Sequence, residues 1–327
     1  MPNYTSARDT FFRGKVKEIR GLISATITPF DEKGLIDLPT LKSHLARVSS
    51  TPGLYGVCVS GHAGEVLALS SEENKSIIET ARKIVPRSQK LVAGIHGQSI
   101  AHLVREGQIA KAAGADMLLV LPLFDHRPYR HLAHQPDVVR GVYKRLNDEI
   151  DLPMILFQYP EATGCAYSVA ALDAIADIPN VVGVKAASVT PTKYAELHDA
   201  LSDRLSILAA CDAPALLGML MHNAPGALLG ISVTGTDRWV EFIREATDGS
   251  AEKAKHMYHT FAVPLMDGIY ENQLQRTRCS TTSSNKEALV QLGEIKSSLV
   301  RAPGISVTEE RKAEIRRCMQ KAGLLPA

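Results

Sequence analysis

Short apolar runs alternate with amphipathic helical stretches along most of this chain, and that alternation limits the possible folds more than any single residue does. The runs lie at 22–28, 55–60, 91–95, 117–121, 154–158, 181–185, 206–210 and 227–231. They are too short for buried helices and nearly all apolar, so they read as strands covered on both faces, the mark of a parallel sheet. Helical patterns fall between and after them, at 41–48, 72–85, 101–113, 136–147, 169–176, 191–201, 213–222 and 237–246. Several of these begin on capping residues, such as Ser70 ahead of Glu73, Ser168, and Thr190 before Pro191. Eight strand–helix units in order predict an α/β fold, a closed (β/α)₈ TIM barrel. An open doubly wound sheet is the alternative, but no G-x-G-x-x-G opens a helix here.

Beyond about residue 250 the strand signal stops. Helical patterns run over 253–270, 286–299 and 308–322, with a Ser/Thr-rich loop expected at 278–285. The chain of 327 residues is long enough for one large barrel and an appendage. The expected organisation is an N-terminal extension at 1–17, a catalytic barrel at 18–249 and a C-terminal helical subdomain at 250–327.

A net charge of +2 and 5% aromatic residues give no case for a nucleic-acid partner. No apolar run is long enough to span a membrane, and 1–20 lacks the apolar core of a secretory signal. Five dispersed cysteines without a CxxC pair read as reduced thiols, so a cytoplasmic setting is expected.

Lys185 closes the run Asn180-Val181-Val182-Gly183-Val184-Lys185. Lysine is seldom buried. Burial disfavours the ammonium and leaves an amine nucleophile near neutral pH, which is what a Schiff base with a carbonyl compound requires. The competing reading is a lysine that snorkels out at a strand end.

Further motifs stand in order around it. They are Thr26-Ile27-Thr28-Pro29-Phe30, Gly61-His62-Ala63-Gly64-Glu65, Leu69-Ser70-Ser71-Glu72-Glu73, Val120-Leu121-Pro122, Tyr159-Pro160 and Val300-Arg301-Ala302-Pro303. With the strand ending in Lys185, this set resembles the dihydrodipicolinate synthase / N-acetylneuraminate lyase family over roughly residues 20 to 325. The resemblance implies a barrel with a helical extension, usually a homotetramer. It also implies a class I lyase in which a strand-six lysine, here Lys185, forms an imine with pyruvate or a related 2-oxo acid. No cofactor beyond that covalent imine, and no metal, is then expected.

The same resemblance exposes departures. The family's second-strand loop reads Gly-Thr/Ser-Thr-Gly-Glu and holds the substrate carboxylate. Here His62 and Ala63 replace both hydroxyl residues, which leaves the backbone of Gly61, Ala63 and Gly64 as the expected anchor and His62 as an added donor. Glu65 is expected to hold the loop. The family's acid/base tyrosine falls at Phe157, so Tyr159, two residues on and on the same strand face, is the expected substitute, with His62 as the other candidate. Ala162 and Leu123-Phe124 stand where a dihydrodipicolinate synthase has an arginine and a tyrosine pair, so a different and less polar aldehyde partner is expected. Phe157, Phe124, His96 and Ser232 complete the expected substrate-binding set.

The leading reading is therefore a Schiff-base lyase joining or cleaving a 2-oxo acid and an aldehyde. The runner-up is a Schiff-base dehydratase of a deoxy sugar acid. A non-catalytic binding protein on the same scaffold is the rival from another class.

Overall fold

The computed structural model describes residues 19–125, 127–188, 190–270 and 280–326. The extension expected at 1–17 lies outside the described residues. Eight parallel strands close into a barrel in sequence order: β1 (Gly21–Ala25), β2 (Gly56–Val59), β3 (Lys90–Ile95), β4 (Met117–Val120), β5 (Met154–Gln158), β6 (Val181–Ala186), β7 (Ser206–Ala209) and β8 (Gly226–Leu229). Helices α1 (Leu38–Ser49), α2 (Ser71–Ile84), α3 (Ile100–Ala112), α4 (Pro136–Ile150), α5 (Val169–Asp173), α6 (Pro191–Leu201), α7 (Leu216–Met221) and α8 (Thr236–Thr247) follow the strands in turn. The expected (β/α)₈ barrel is the observed fold.

Side chains alternate between two apolar layers, as strand geometry requires. Met117, Leu119 and Leu121 fill the lumen together with Ile155, Phe157 and Tyr159. Leu118, Val120, Met154 and Leu156 pack outward under the helices.

Strand β6 breaks this alternation. Met154 pairs with Val181, but Ile155 pairs with Gly183, so Val182 is an extra residue on β6. Val182 lies in the lumen layer, whereas Val181, Val184 and Ala186 all lie in the outer layer. Unbroken alternation would have put Val182 and Val184 on one face. The bulge flips the phase, and Lys185 turns into the lumen beside its register partner Phe157. A glycine allows it: a Cβ on Gly183 would stand 2.8 Å from the Ser206 carbonyl oxygen on β7.

After α8 the chain forms α9 (Ala251–Met257), a π-helical turn (Tyr258–Ala262), α10 (Val263–Ile269), α11 (Thr281–Gln291) and α12 (Glu309–Lys321). The single helical pattern expected over 253–270 is thus interrupted. Pro264 has no N–H for the helical ladder, and the wider turn lies just before it.

The loop expected at 278–285 is also corrected. Arg278 and Cys279 lie outside the described residues, but 281–285 form the first half of α11, and the helix stops at Gln291, short of 299. Ser280 caps it by accepting from the Ser283 amide at 3.1 Å. Ser283, Ser284, Asn285 and Lys286 are fully buried, where tertiary partners override the local preference of Ser and Asn for loops.

Because the Ser206 carbonyl is backbone and cannot move aside cheaply, Gly183→Ala is expected to destabilise the fold by about 1–3 kcal/mol. Chemical denaturation checks this, and a loss below about 0.5 kcal/mol would show that the strands do not depend on that close approach.

Candidate active site

Lys185 is buried in the lumen, 8% exposed, with Nζ 3.8 Å from the centroid of the Phe157 ring. Removal from water pushes its amine below the ordinary lysine range; the charge of Asp212 and, less, Cys58 pull the other way. The aromatic face also favours an ammonium. Burial outweighs these, so the net displacement is downward, toward the free amine. Cys58, buried in the same layer, has its thiol pushed up to about 12 by burial and stays a neutral SH.

Above Lys185 the aromatic rings form a triangle. Phe157 and Tyr159 meet edge to face at 4.8 Å between centroids, His62 lies 4.9 Å from Phe157, and His62 lies 5.2 Å from Tyr159. The Tyr159 hydroxyl and His62 Nε2 are 2.5 Å apart. The two candidates for the missing acid/base are therefore one hydrogen-bonded pair. Solvent reaches His62 from the mouth, although protein surrounds much of the ring. Burial, then Lys185, then His96 hold its imidazole below the ordinary histidine range. A neutral His62 with its hydrogen on Nδ1 accepts the Tyr159 proton at Nε2.

The loop that carries His62 is a tight turn after β2. The amides of Gly64 and Glu65 donate back to the carbonyls of Gly61 and His62, at 3.1 and 3.0 Å. Among the described residues, the amides of His62 and Ala63 make no backbone hydrogen bond, which leaves them at the tip for an anionic group. The expected anchor is thus narrower than Gly61 to Gly64: the Gly64 amide is already used. Gly64 is needed for its size, since a Cβ there would lie 2.8 Å from the Ser60 nitrogen. Thr28 fastens the turn by donating to the Gly64 carbonyl at 2.7 Å.

Glu65 holds the loop as expected, and its partners come from α11 and the segment that follows it. Its carboxylate accepts from Lys286 Nζ at 2.5 Å and from the Arg301 amide at 2.9 Å. Lys286 also donates to the Leu299 carbonyl, and the Arg301 guanidinium forks onto Glu73. Asn285 donates to the Gly230 carbonyl and Thr282 to that of His62, so α11 braces the mouth from above.

The remaining expected residues are placed differently. His96 is close enough to bear on His62, but it lines a neighbouring cleft with Val66, Asn74, His102 and Glu106. Phe124 belongs to the outer layer, edge to face with Tyr167 at 6.1 Å, and is not brought to the lumen. Ser232 is fully buried and spends its hydroxyl on Ser24 at 2.9 Å and on the Leu229 carbonyl at 2.8 Å, a brace between β1 and the loop after β8. The segment 123–134 forms two 3₁₀ turns, of which His126 lies outside the described residues. Sequence reasoning did not include Asp212 in the site. Its only signal was its place just past strand β7, on the barrel face where active sites form.

Residues 18–322 match the family model described as the dihydrodipicolinate synthetase family. The chain belongs to that family. A 4-hydroxy-tetrahydrodipicolinate synthase of Syntrophus aciditrophicus (strain SB) is 29% identical over 306 residues, covering 94% of this chain and 99% of that protein. One from Synechococcus sp. (strain CC9605) is 31% identical over 255 residues, covering 76% and 80%. Among solved structures, the chloride-inhibited dihydrodipicolinate synthase of Acinetobacter baumannii in complex with pyruvate superposes with a TM-score of 0.82. It is 24% identical and covers 94% of this chain and 100% of that one, a likeness of fold. As a member of the family the chain is a lyase of the class I, Schiff-base type.

A depressed folded-state pKa makes His62 resist protonation. Its contribution to stability is complete above the unfolded histidine value near 6.5 and is lost as pH falls from there toward the folded value. Nitrogen-resolved NMR of the folded protein should show a neutral His62 ring from pH 8 down to 5.5, and His62→Gln should flatten the stability loss over the acid range. A His62 ring titrating at or above about 6.5 would contradict this.

Proposed function

We propose that Lys185 forms the imine of a class I aldolase reaction between pyruvate or a related 2-oxo acid and an aldehyde, with Tyr159 and His62 as the proton-handling pair. The observation that carries this reading is the hydrogen bond between Tyr159 and His62 above a buried amine. It supplies a proton donor and an acceptor where Phe157 has neither.

The Lys185 amine adds to the 2-oxo carbon, and the resulting hydroxyl leaves as water to give the protonated imine. That imine withdraws electrons from the adjacent carbon, whose proton passes to the pair and leaves an enamine. The enamine carbon then bonds to the aldehyde carbon, and the aldehyde oxygen takes a proton from the pair. Water adds to the new imine, frees the product and restores the amine. Cleavage is the same sequence reversed. The amides of His62 and Ala63 would hold the substrate carboxylate, and Asp212 would steady the imine's positive charge.

With Ala162 and Leu123-Phe124 at the positions noted above, the aldehyde differs from that of a 4-hydroxy-tetrahydrodipicolinate synthase. A homo-oligomer, in keeping with the tetramers that family members often form, and a cytoplasmic setting go with this proposal.

Deuterium exchange at the pyruvate methyl group, followed by proton NMR, tests the first half of the cycle without knowledge of the aldehyde. Wild-type protein should catalyse the exchange, Lys185→Ala should not, and Tyr159→Phe should slow it by about 10²–10⁴-fold. Exchange that is unchanged in Tyr159→Phe would remove the pair from the mechanism. Absence of exchange with every 2-oxo acid tried would overturn the proposal.

A further inference from the structure

On the opposite face of the barrel, His198 and Asp199 near the end of α6 meet His222, which caps α7. Asp199 Oδ1 lies 3.4 Å from His198 Nδ1 and 2.9 Å from His222 Nε2. One nitrogen or oxygen from each of the three residues falls within 4.8 Å of the others. Ligand atoms around a tetrahedral zinc ion lie about 3.3 Å apart, given bonds of about 2.0 Å, so the separations here bracket that geometry.

The hydrogen bonds of His198 point the same way. Its Nε2 is 3.2 Å from the Asn223 carbonyl, which can only accept, so Nε2 carries the hydrogen. In a neutral ring Nδ1 then presents a lone pair, and that lone pair faces a carboxylate oxygen. Two such acceptors need a proton or a metal cation between them. A backbone carbonyl fixing the far nitrogen is also the arrangement that orients metal-bound histidines.

The rings are held in place. His198 is nearly buried, and the His198 and His222 rings stand edge to face at 5.2 Å. Tyr194 packs against both, itself anchored by its hydroxyl on the Ile207 carbonyl at 2.7 Å. Asn223 keeps its carbonyl on His198 through a left-handed backbone, φ 58°. Asp199 is exposed and His222 half exposed, which leaves an open side for entry of an ion and for a water ligand.

We propose that His198, Asp199 and His222 form a binding site for a zinc-class divalent cation, which ties α6 to the end of α7. Two imidazoles and a carboxylate are the donor set that zinc accepts. The site lies at the end of the barrel where β8 begins, away from the end where Lys185 leaves its strand. On such a face a metal serves stability, not the imine chemistry. This goes beyond the expectation from sequence, which contained no metal, because the three residues are brought together only by the packing of α6 on α7.

Untagged full-length protein, freed of metal with a chelator, would be titrated with Zn²⁺ by calorimetry and by dialysis with elemental analysis. The expected result is one ion per chain, a melting temperature raised by the ion, and visible bands of tetrahedral Co²⁺ when cobalt replaces zinc. His222→Gln and Asp199→Asn, both at solvent-exposed side chains and checked for folding by circular dichroism, should each weaken Zn²⁺ at least about tenfold and abolish the ion's effect on melting. No uptake of Zn²⁺, which would leave a plain histidine–carboxylate ion pair, would overturn the proposal. So would binding that persists unchanged in both variants.

Discussion

One extra residue in β6 decides what this barrel can do. Strand side chains alternate with a fixed period, so in an unbroken β6 the lysine at position 185 would share the outward face with Val181 and the helices would cover it. The bulge at Val182 reverses the phase, and Gly183 gives the strands room to stay paired through it. The ammonium is then forced into an apolar lumen against the Phe157 ring, with Asp212 as the charge that opposes its desolvation. Burial that would be a fault elsewhere in a core here yields a nucleophilic amine.

The mouth is shaped by a second dependence, between the barrel and the helices that follow it. The β2 loop holds a strained turn, with left-handed backbone at Ser60 and Glu65. Glu65 binds the buried Lys286 and the backbone of Arg301, and the Phe30 ring lies against both cations. A buried pair of this kind contributes less through its attraction than through the penalty for losing either member. Its effect is positional: it fixes the loop that presents His62 to Tyr159. The hydrogen-bonded pair of His62 and Tyr159 thus depends on Lys286 and Arg301, far along the chain.

Much of the fold was legible in the sequence. Eight apolar runs between capped amphipathic stretches leave few architectures, and all eight strands lie where those runs are. Lys185, Tyr159 and His62 stood out as candidate residues, though the hydrogen bond between Tyr159 and His62 did not. The bulge was not legible, because a strand buried on both faces carries no polar–apolar contrast from which to read its phase; Gly183 was the only hint. Segment 281–285 misled because serine and asparagine favour loops when their side chains must satisfy themselves locally. Here Ser283 finds the Ile305 carbonyl and Asn285 that of Gly230. Ser232 and Phe124 lie near strand ends in the chain, but their side chains turn into the framework. The cluster of His198, Asp199 and His222 joins two helices and leaves no spacing motif.

In the proposed reaction, Lys185 is the residue that captures the carbonyl substrate. Borohydride reduction in the presence of pyruvate, followed by peptide mass spectrometry, measures this most directly. A single reduced adduct is expected on the peptide that contains Lys185, absent from Lys185→Ala. An adduct on another lysine, or none with pyruvate and the other 2-oxo acids, would contradict it.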